Sequence, residues 1–371
     1  MPALASAARE KLHSLAQAGR RRALASTHRE DGVYVTRGER RLISFSCNDY
    51  LGLSHHPAVV EAAKSALALY GSGAGAARLV TGNHPLYAQL EAKLAVWKGA
   101  EAALVFGSGY LANTGIIPAI VGKGDLILAD KLVHACLIDG AQLSGAKLLR
   151  FKHNDMNDCE RLLATQRGNY AHCLIVTDHV FSMDGDVAPL EKLGELAAVH
   201  DAWLMADGAH NLEGTHPPVD LYVGTLSKAL ASYGGYVAAS QDVIDYLATS
   251  SRSFMFSTGL PPSAVAAALG ALEILIADPA LAEAPLARAR VFTETLGLPQ
   301  AQSPIVPLLM GEESRALSAA AVLEEAGFMA VAIRPPTVPE GTSRLRFAFS
   351  ALHREEDVLR LAAVIRKEGW A

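Results

Sequence analysis

From about Arg41 to Ser240, short apolar runs alternate with longer segments whose apolar residues return every three or four positions. The short runs read as strands: Ala102 to Phe106, Asp125 to Ala129, Lys147 to Phe151, Cys173 to Asp178, Trp203 to Asp207, Leu221 to Gly224 and Gly235 to Ala239. Helix-period stretches such as Leu86 to Lys98 and Pro189 to His200 lie between most of them. This alternation predicts an α/β fold with a mostly parallel sheet flanked by helices. In such sheets ligands bind beyond the carboxyl ends of the strands.

Past Thr258 the texture changes. Long Ala/Leu helices are expected from Pro262 to Ile276 and from Glu313 to Ala326, and strands near Ser303 to Leu309, Met329 to Ile333 and Arg344 to Phe349. A final helix should run from Glu355 to Lys367, completing a smaller α+β domain. At the other end, Leu4, Ala8, Leu12 and Leu15 recur at helical spacing and predict an amphipathic entry helix. The expected organisation is a helical arm over 1–40, a large domain over 41–258 and a small domain over 259–371. No internal repeat or low-complexity tract interrupts it.

Half of the 371 residues are hydrophobic, enough for a sizeable core, and the formal net charge is −5. The absence of a basic excess argues against nucleic acid or an anionic membrane as the main partner. The apolar stretch from Ser263 to Ala277 is interrupted by Glu273 and reads as a core helix, being shorter than the roughly 20 residues of a membrane span. Cys47, Cys136, Cys159 and Cys173 show neither a C-x-x-C pair nor metal-ligand spacing and read as buried thiols in a reducing compartment. Arg9 and Arg20 to Arg22 superficially resemble a transit peptide, but Glu10 and the lack of an apolar core in that segment favour a cytoplasmic protein. Small-molecule chemistry becomes the leading expectation, with no metal.

Asp207, in LMADGAHNL, and Lys228, in GTLSKALASYGG, both follow candidate strands and stand 21 residues apart. A carboxylate closing an apolar run and a lysine in a Ser/Gly-rich turn are what a protein needs to hold pyridoxal 5'-phosphate (PLP). Lys228 would form the Schiff base and, once released, act as a base; Asp207 would pair with the protonated ring nitrogen. Taken singly, Lys228 is a surface lysine and Asp207 a helix cap, and the spacing of the two tips the balance. His134 could stack on the ring and His210 could bond its phenolic oxygen, although an isolated histidine is more often structural. Ser108, Gly109 and Tyr110 follow a strand and open a helix, where backbone N–H groups favour a phosphate. Arg334, Thr337, Arg344 and Arg346 offer a cationic fork for a substrate carboxylate; the alternative is the charged solvent face of an edge strand. Strand alternation puts Arg344 and Arg346 on one face, opposite Leu345 and Phe347.

Eight segments, SFSCNDYLGLSHHP, RLVTGNHPLYAQLE, FGSGYLAN, FSMDGDVAPL, DGAH, GTLSKALASYGG, MFSTGLPP and IRPPTVPEGTSRLR, occur in an order that resembles the α-oxoamine synthase family of fold-type-I PLP enzymes. They span about residues 40 to 352. The resemblance implies Lys228 as the Schiff-base lysine, Asp207 as pyridinium partner, His134 on the ring and His210 at the phenolic oxygen. It adds Ser182 as a cofactor contact, with Ser108, Gly109, Tyr110 and Thr225 positioning ring and phosphate. Ser257 and Thr258 would reach the phosphate of a neighbouring subunit, implying a homodimer with shared sites. Asn48, Thr337 and Arg346 would handle substrate, with Arg22, or Arg20 or Arg21 in its place, from the N-terminal arm. His134 would also help at the thioester oxygen.

The reaction implied is condensation of L-alanine with a pimeloyl thioester, carried on CoA or acyl carrier protein, with loss of CO2 and free thiol, a step of biotin biosynthesis. Sister activities joining glycine to acetyl-CoA, glycine to succinyl-CoA or serine to a palmitoyl thioester remain open, because motifs around a shared cofactor separate substrates poorly. A non-catalytic PLP-fold binding or regulatory protein is the alternative of another class. Two departures from the family stand out. Gly208 takes the place of a second acidic residue in DGAH, and NLEGTHPPVD replaces a longer glycine-rich loop; His179 also stands where a small residue is usual.

Overall fold

The computed structural model describes residues 3–214 and 217–371. Thr215 and His216, in the short loop after His210, and the first two residues of the N-terminal arm lie outside the described residues. The chain divides into two compact units, one of residues 51–182 and 186–283, the other of residues 1–50, 183–185 and 284–371.

The larger unit is built on seven strands: β1 (Ala102–Phe106), β2 (Leu126–Asp130), β3 (Lys147–Phe151), β4 (Cys173–Asp178), β5 (Trp203–Asp207), β6 (Leu221–Thr225) and β7 (Gly235–Ala239). Their order across the sheet is β1-β7-β6-β5-β4-β2-β3, and only β7 runs antiparallel to its neighbours. The seven apolar runs of the sequence are these seven strands. β2, β4 and β7 are buried at every position, as expected of strands covered by helices on both faces. The helix Pro262–Ala277 packs on helices Pro57–Tyr70 and Leu86–Lys98 and buries nine of its side chains. Among the described residues no single helix is long and apolar enough to cross a membrane.

The segment RLVTGNHPLYAQLE serves this scaffold. Arg78 forks onto Glu91 at 2.5 and 3.0 Å, donates to the carbonyl of Val105 and lies 3.8 Å over the Tyr87 ring, while Glu91 accepts the N–H of Val105 at 2.8 Å. A half-buried ion pair whose guanidinium also donates to Asn83 from Nε and Nη2 fixes a geometry more than it adds stability.

The smaller unit has a three-stranded antiparallel sheet in which Ser343–Ala348 lies between Ile305–Gly311 and Val331–Ile333. A second sheet pairs the hairpin Tyr34–Arg37 and Arg40–Ser44 with His28–Arg29 and Phe328–Met329. Phe45, Phe292, Phe347 and Phe349 meet at the centre of its core. Helix Glu355–Lys367 buries Val358, Leu361, Ala362 and Ile365 and carries acids in its first turn and bases in its last, matching its dipole.

These pairings place the division of the chain differently from the sequence expectation. Residues 41–50 join the smaller unit because Arg40–Ser44 pairs in parallel with Phe328–Met329, and 259–283 join the larger because Pro262–Ala277 packs on its helices. The entry helix forms over Ala3–Gln17 but buries none of its residues, and Leu4, Leu12 and Leu15 stay exposed. Cys136, Cys159 and Cys173 are buried thiols, whereas Cys47 is only half-buried.

At the carboxyl ends of β2 and β4, His153 sits between two carboxylates, 3.0 Å from Asp130 and 2.7 Å from Asp186, edge-on to the Phe181 ring. Burial opposes the charged imidazolium, but the bonds to Asp130 and Asp186 outweigh it and push the group up to about 10. The folded pKa exceeds the unfolded one, so this stabilisation is full below about pH 6.5 and fades as pH rises toward 10. His153→Gln should therefore cost about 2 kcal/mol at pH 6 and progressively less toward pH 10. Thermal unfolding across that range checks it; a penalty that did not change with pH would mean an uncharged His153.

Candidate active site

Five strand ends of the larger unit converge on one cavity of about 170 Å³. Its lining includes Ser108, Gly109 and Tyr110 after β1, His134 after β2, Asp178 and Ser182 after β4, Asp207 and His210 after β5, and Thr225 and Lys228 after β6. A parallel sheet brings these together because every parallel strand ends on the same edge, whatever its place in the chain.

Asp207 is buried at the end of a central strand. Its Oδ2 accepts from Asn113 at 2.6 Å and its Oδ1 from the backbone N–H of Ala209 at 2.9 Å. Lys228 Nζ lies 2.9 Å from His210 Nε2. His134 caps helix Ala135–Ser144, its Nδ1 accepting the N–H of Cys136 at 3.3 Å, which leaves Nε2 to carry the ring proton. Burial pushes His134 down, against the pull of Asp207. Asp178 accepts the N–H of His134 at 3.2 Å, and burial together with neighbouring Asp207 raises its carboxyl well above the usual range.

Ser108 caps helix Gly109–Ile120, accepting the N–H of Leu111 at 3.1 Å, so the positive end of that helix opens on the cavity. The turn is held close to the sheet: a Cβ on Gly235 would stand 2.5 Å from the Gly109 nitrogen, so only glycine fits there. Thr225 Oγ1 bonds Ser227 Oγ at 2.7 Å and the Gly234 carbonyl at 2.9 Å beneath the same turn. Tyr110 bonds Asp139. A buried carboxylate, an amine and a helix N-terminus around one cavity match the three polar ends of PLP: ring nitrogen, aldehyde and phosphate. The residues present fit that group.

Sequence reasoning passed over Asn113, although FGSGYLAN contains it; its place one helical turn past the Ser108 cap was the available signal. Its amide bonds Asp207 and, at 3.0 Å, the Cys136 sulfur, which lies 2.8 Å from His134 Nδ1. One side chain thus ties the carboxylate to the histidine. Ser257 and Thr258 belong to the same unit but do not line the cavity.

The remaining candidates fall in the smaller unit. Arg346 donates to Asn48 at 3.3 Å and to the Tyr50 hydroxyl at 3.4 Å, and Arg22 donates to Thr337 at 2.8 Å. Arg20 is engaged by Glu313 and Glu340 at 3.2 and 2.9 Å. Arg344 is paired with Asp184 at 2.5 Å and Arg334 donates to the Gly19 carbonyl at 2.5 Å. Ser343–Ala348 is a central strand buried at every position, so the charged edge-strand reading of Arg344 and Arg346 does not hold.

This fold and lining define an α/β enzyme of the fold-type-I PLP-dependent class. Residues 40–365 match the class I and II aminotransferase family. The chain is 56% identical to the 8-amino-7-oxononanoate synthase of Methylobacterium nodulans, over 100% of this chain and 98% of that one. Among solved structures it is similar to serine palmitoyltransferase from S. paucimobilis with a bound PLP–myriocin aldimine (TM-score 0.89, 27% identity, 100% of both chains). It is also similar to 8-amino-7-oxononanoate synthase from Francisella tularensis (TM-score 0.76, 26% identity, 88% of this chain and 98% of that one). The chain belongs to the class I and II aminotransferase family, in its 8-amino-7-oxononanoate synthase branch.

Asn113→Ala should weaken PLP binding about tenfold, the loss of one charge-assisted bond, as read from spectrophotometric titration of the apoprotein. Unchanged affinity would show that Asp207 needs no such anchor.

Proposed function

We propose that this protein condenses L-alanine with a pimeloyl thioester to give 8-amino-7-oxononanoate, CO2 and free thiol, with PLP as cofactor. The observation that carries the reading is the cavity holding Lys228, His210, Asp207 and His134 on one sheet edge. Relatives above 50% identity along nearly the whole chain bear the name of that activity. The likeness to serine palmitoyltransferase supports the fold, at an identity of 27–28%; the substrate reading follows the sequence relatives.

Bound PLP supplies an electron sink for negative charge developing at the substrate Cα. Asp207, buried and bonded by Asn113 and Ala209, would be the carboxylate that pairs with the ring nitrogen. Lys228 would hold the cofactor through its amine, which His210 fixes at 2.9 Å, and the same amine, once free, would serve as base toward the substrate Cα proton. His134, which burial keeps neutral, offers its Nε2 proton to the thioester oxygen as negative charge grows there. The Ser108–Gly109–Tyr110 turn and Thr225 would take the phosphate. Arg346 with Asn48, and Arg22 with Thr337, are assigned to substrate.

The same reading makes the protein a homodimer. Leu79, Val80 and Phe256 are exposed, and the pairing of Ala77 with Thr258 brings their segments together into an apolar patch. In a dimer, Ser257 and Thr258 beside that patch would serve the partner's phosphate. A cytoplasmic location accords with the composition.

Product mass after incubating PLP-loaded protein with L-alanine and pimeloyl-CoA, and separately with glycine and acetyl-CoA, tests the reaction. 8-Amino-7-oxononanoate is expected in the first tube alone; product in the second alone would move the protein to a sister activity. Lys228→Ala should reduce turnover at least 10³-fold, and undiminished turnover would remove the lysine from the mechanism. Sedimentation should give twice the chain mass, and Thr258→Ala should weaken PLP binding severalfold; a monomer with full PLP affinity would refute the shared site.

A further inference from the structure

Directly behind the cofactor-facing carboxylate, the chain has a gap filled from the next strand. A Cβ on Gly208 would stand 2.0 Å from the hydroxyl of Tyr222 and 2.3 Å from the ring carbon that bears it, so the tyrosine occupies the space a side chain at 208 would need. Tyr222 lies on β6, fully buried. Its hydroxyl accepts from Asn211 Nδ2 at 2.8 Å and lies 3.0 Å from His179 Nδ1. One hydroxyl thus joins Gly208 and His179.

Both partners act on the turn that leaves β5. Asn211 Nδ2 also bonds the Glu213 carbonyl at 3.2 Å, its Oδ1 accepts the Glu213 N–H at 3.3 Å, and its backbone N–H bonds the Gly208 carbonyl at 3.0 Å. The backbone N–H of His179 donates to the Asp207 carbonyl at 2.7 Å. Lys98, buried beneath, donates to the same Glu213 carbonyl at 2.5 Å and stands 4.7 Å over the Tyr222 ring. The turn fastened in this way runs from Asp207 to Asn211 and carries His210, which meets Lys228.

We infer that Tyr222 is a positioning residue for PLP: its hydroxyl, seated in the Gly208 gap and tied to Asn211 and His179, sets the turn that presents Asp207 and His210. The inference rests on the PLP reading of the cavity. Tyr222 touches neither cofactor nor substrate in this role. Asp207 and His210 are bonded from the front by Asn113 and Lys228, and the tyrosine is their counterpart behind the strand. The charged or titratable groups around it include Asp207, His179, Lys98, Glu213 and Tyr236, so a changed hydroxyl should be felt in the electrostatics of the ring site.

Tyr222→Phe in the full-length protein keeps the ring and removes the hydroxyl. PLP affinity should fall about five- to tenfold, and the pH midpoint of the visible PLP absorbance band should shift by about half a unit or more, a change of about 0.7 kcal/mol between protonation states. Asn211→Ala should give a similar loss, and the double variant little more than either single one, because both act through one hydroxyl. Affinity within twofold and an unmoved midpoint in Tyr222→Phe, or full additivity with Asn211→Ala, would overturn the inference. If Tyr222→Phe does not fold, His179→Ser with Asn211→Ala carries the same cycle. Gly208→Ala should weaken PLP binding and Gly208→Ala/Tyr222→Leu should recover space without the midpoint; recovery of both would make the tyrosine a filler only. Wild-type protein that bound no PLP would instead refute the reading of the cavity itself.

Discussion

Three adjacent strands of the central sheet end in aspartate, Asp130, Asp178 and Asp207, and all three are buried. Like charges on neighbouring strand ends cannot be held without water unless each is bonded or protonated, since burial of an unpaired carboxylate costs several kcal/mol. The edge of the sheet is organised by how each is satisfied. Asp130 takes the His153 imidazolium and the N–H groups of Leu132 and Asn154. Asp178, in register with Asp207, takes the N–H of His134 and is driven toward its protonated form. Asp207 keeps an amide from Asn113 and the Ala209 N–H.

Each solution carries a second consequence. The histidine that answers Asp130 also binds Asp186, fixing the loop that holds Ser182. The backbone that answers Asp178 belongs to His134, so the carboxyl sets where that ring begins its helix. The amide that answers Asp207 reaches Cys136 and through it the same ring. Of the three, Asp207 lines the cavity with one hydrogen bond to each of its oxygens. On the proposed reading a cationic ring nitrogen would complete it, which would suit this end of the sheet to a pyridinium rather than a neutral ligand.

The seven strands of the central sheet and the helices Leu86–Lys98, Pro262–Ala277 and Glu355–Lys367 were legible because their apolar runs and helical periods were uninterrupted, whereas the hairpin Tyr34–Arg37 and Arg40–Ser44 and the helices Pro57–Tyr70 and Glu283–Leu296 were not; the cavity's lysine, aspartate and histidines were legible because each follows a strand. The division of the chain was not. Arg40–Ser44 looks like the start of an α/β domain until its partner, Phe328–Met329, far away in sequence, is known. Alternation correctly put Arg344 and Arg346 on one face but could not tell a solvent face from a buried one; Asp184, Asn48 and Tyr50 supply the partners that make burial tolerable. Asn113 and Tyr222 were illegible for a related reason. A polar residue in a helix and a tyrosine in a strand acquire meaning only from what the third dimension sets beside them.

Gly208 shows how such meaning arises. Read alone it is the loss of an acidic neighbour, a weakening of the motif. In the fold it is the opening through which the hydroxyl of Tyr222 reaches the back of the Asp207 turn. The same device recurs one strand over, where a Cβ on Gly224 would meet the Tyr236 ring at 2.4 Å. Two successive strands therefore fill glycine gaps with tyrosines from their neighbours, substituting packed rings for side chains that would crowd the strand ends. A fourth carboxylate at position 208 would have added charge to an edge that already buries three. A phenol adds none, and brings a hydrogen-bonding group where one is needed to close the turn.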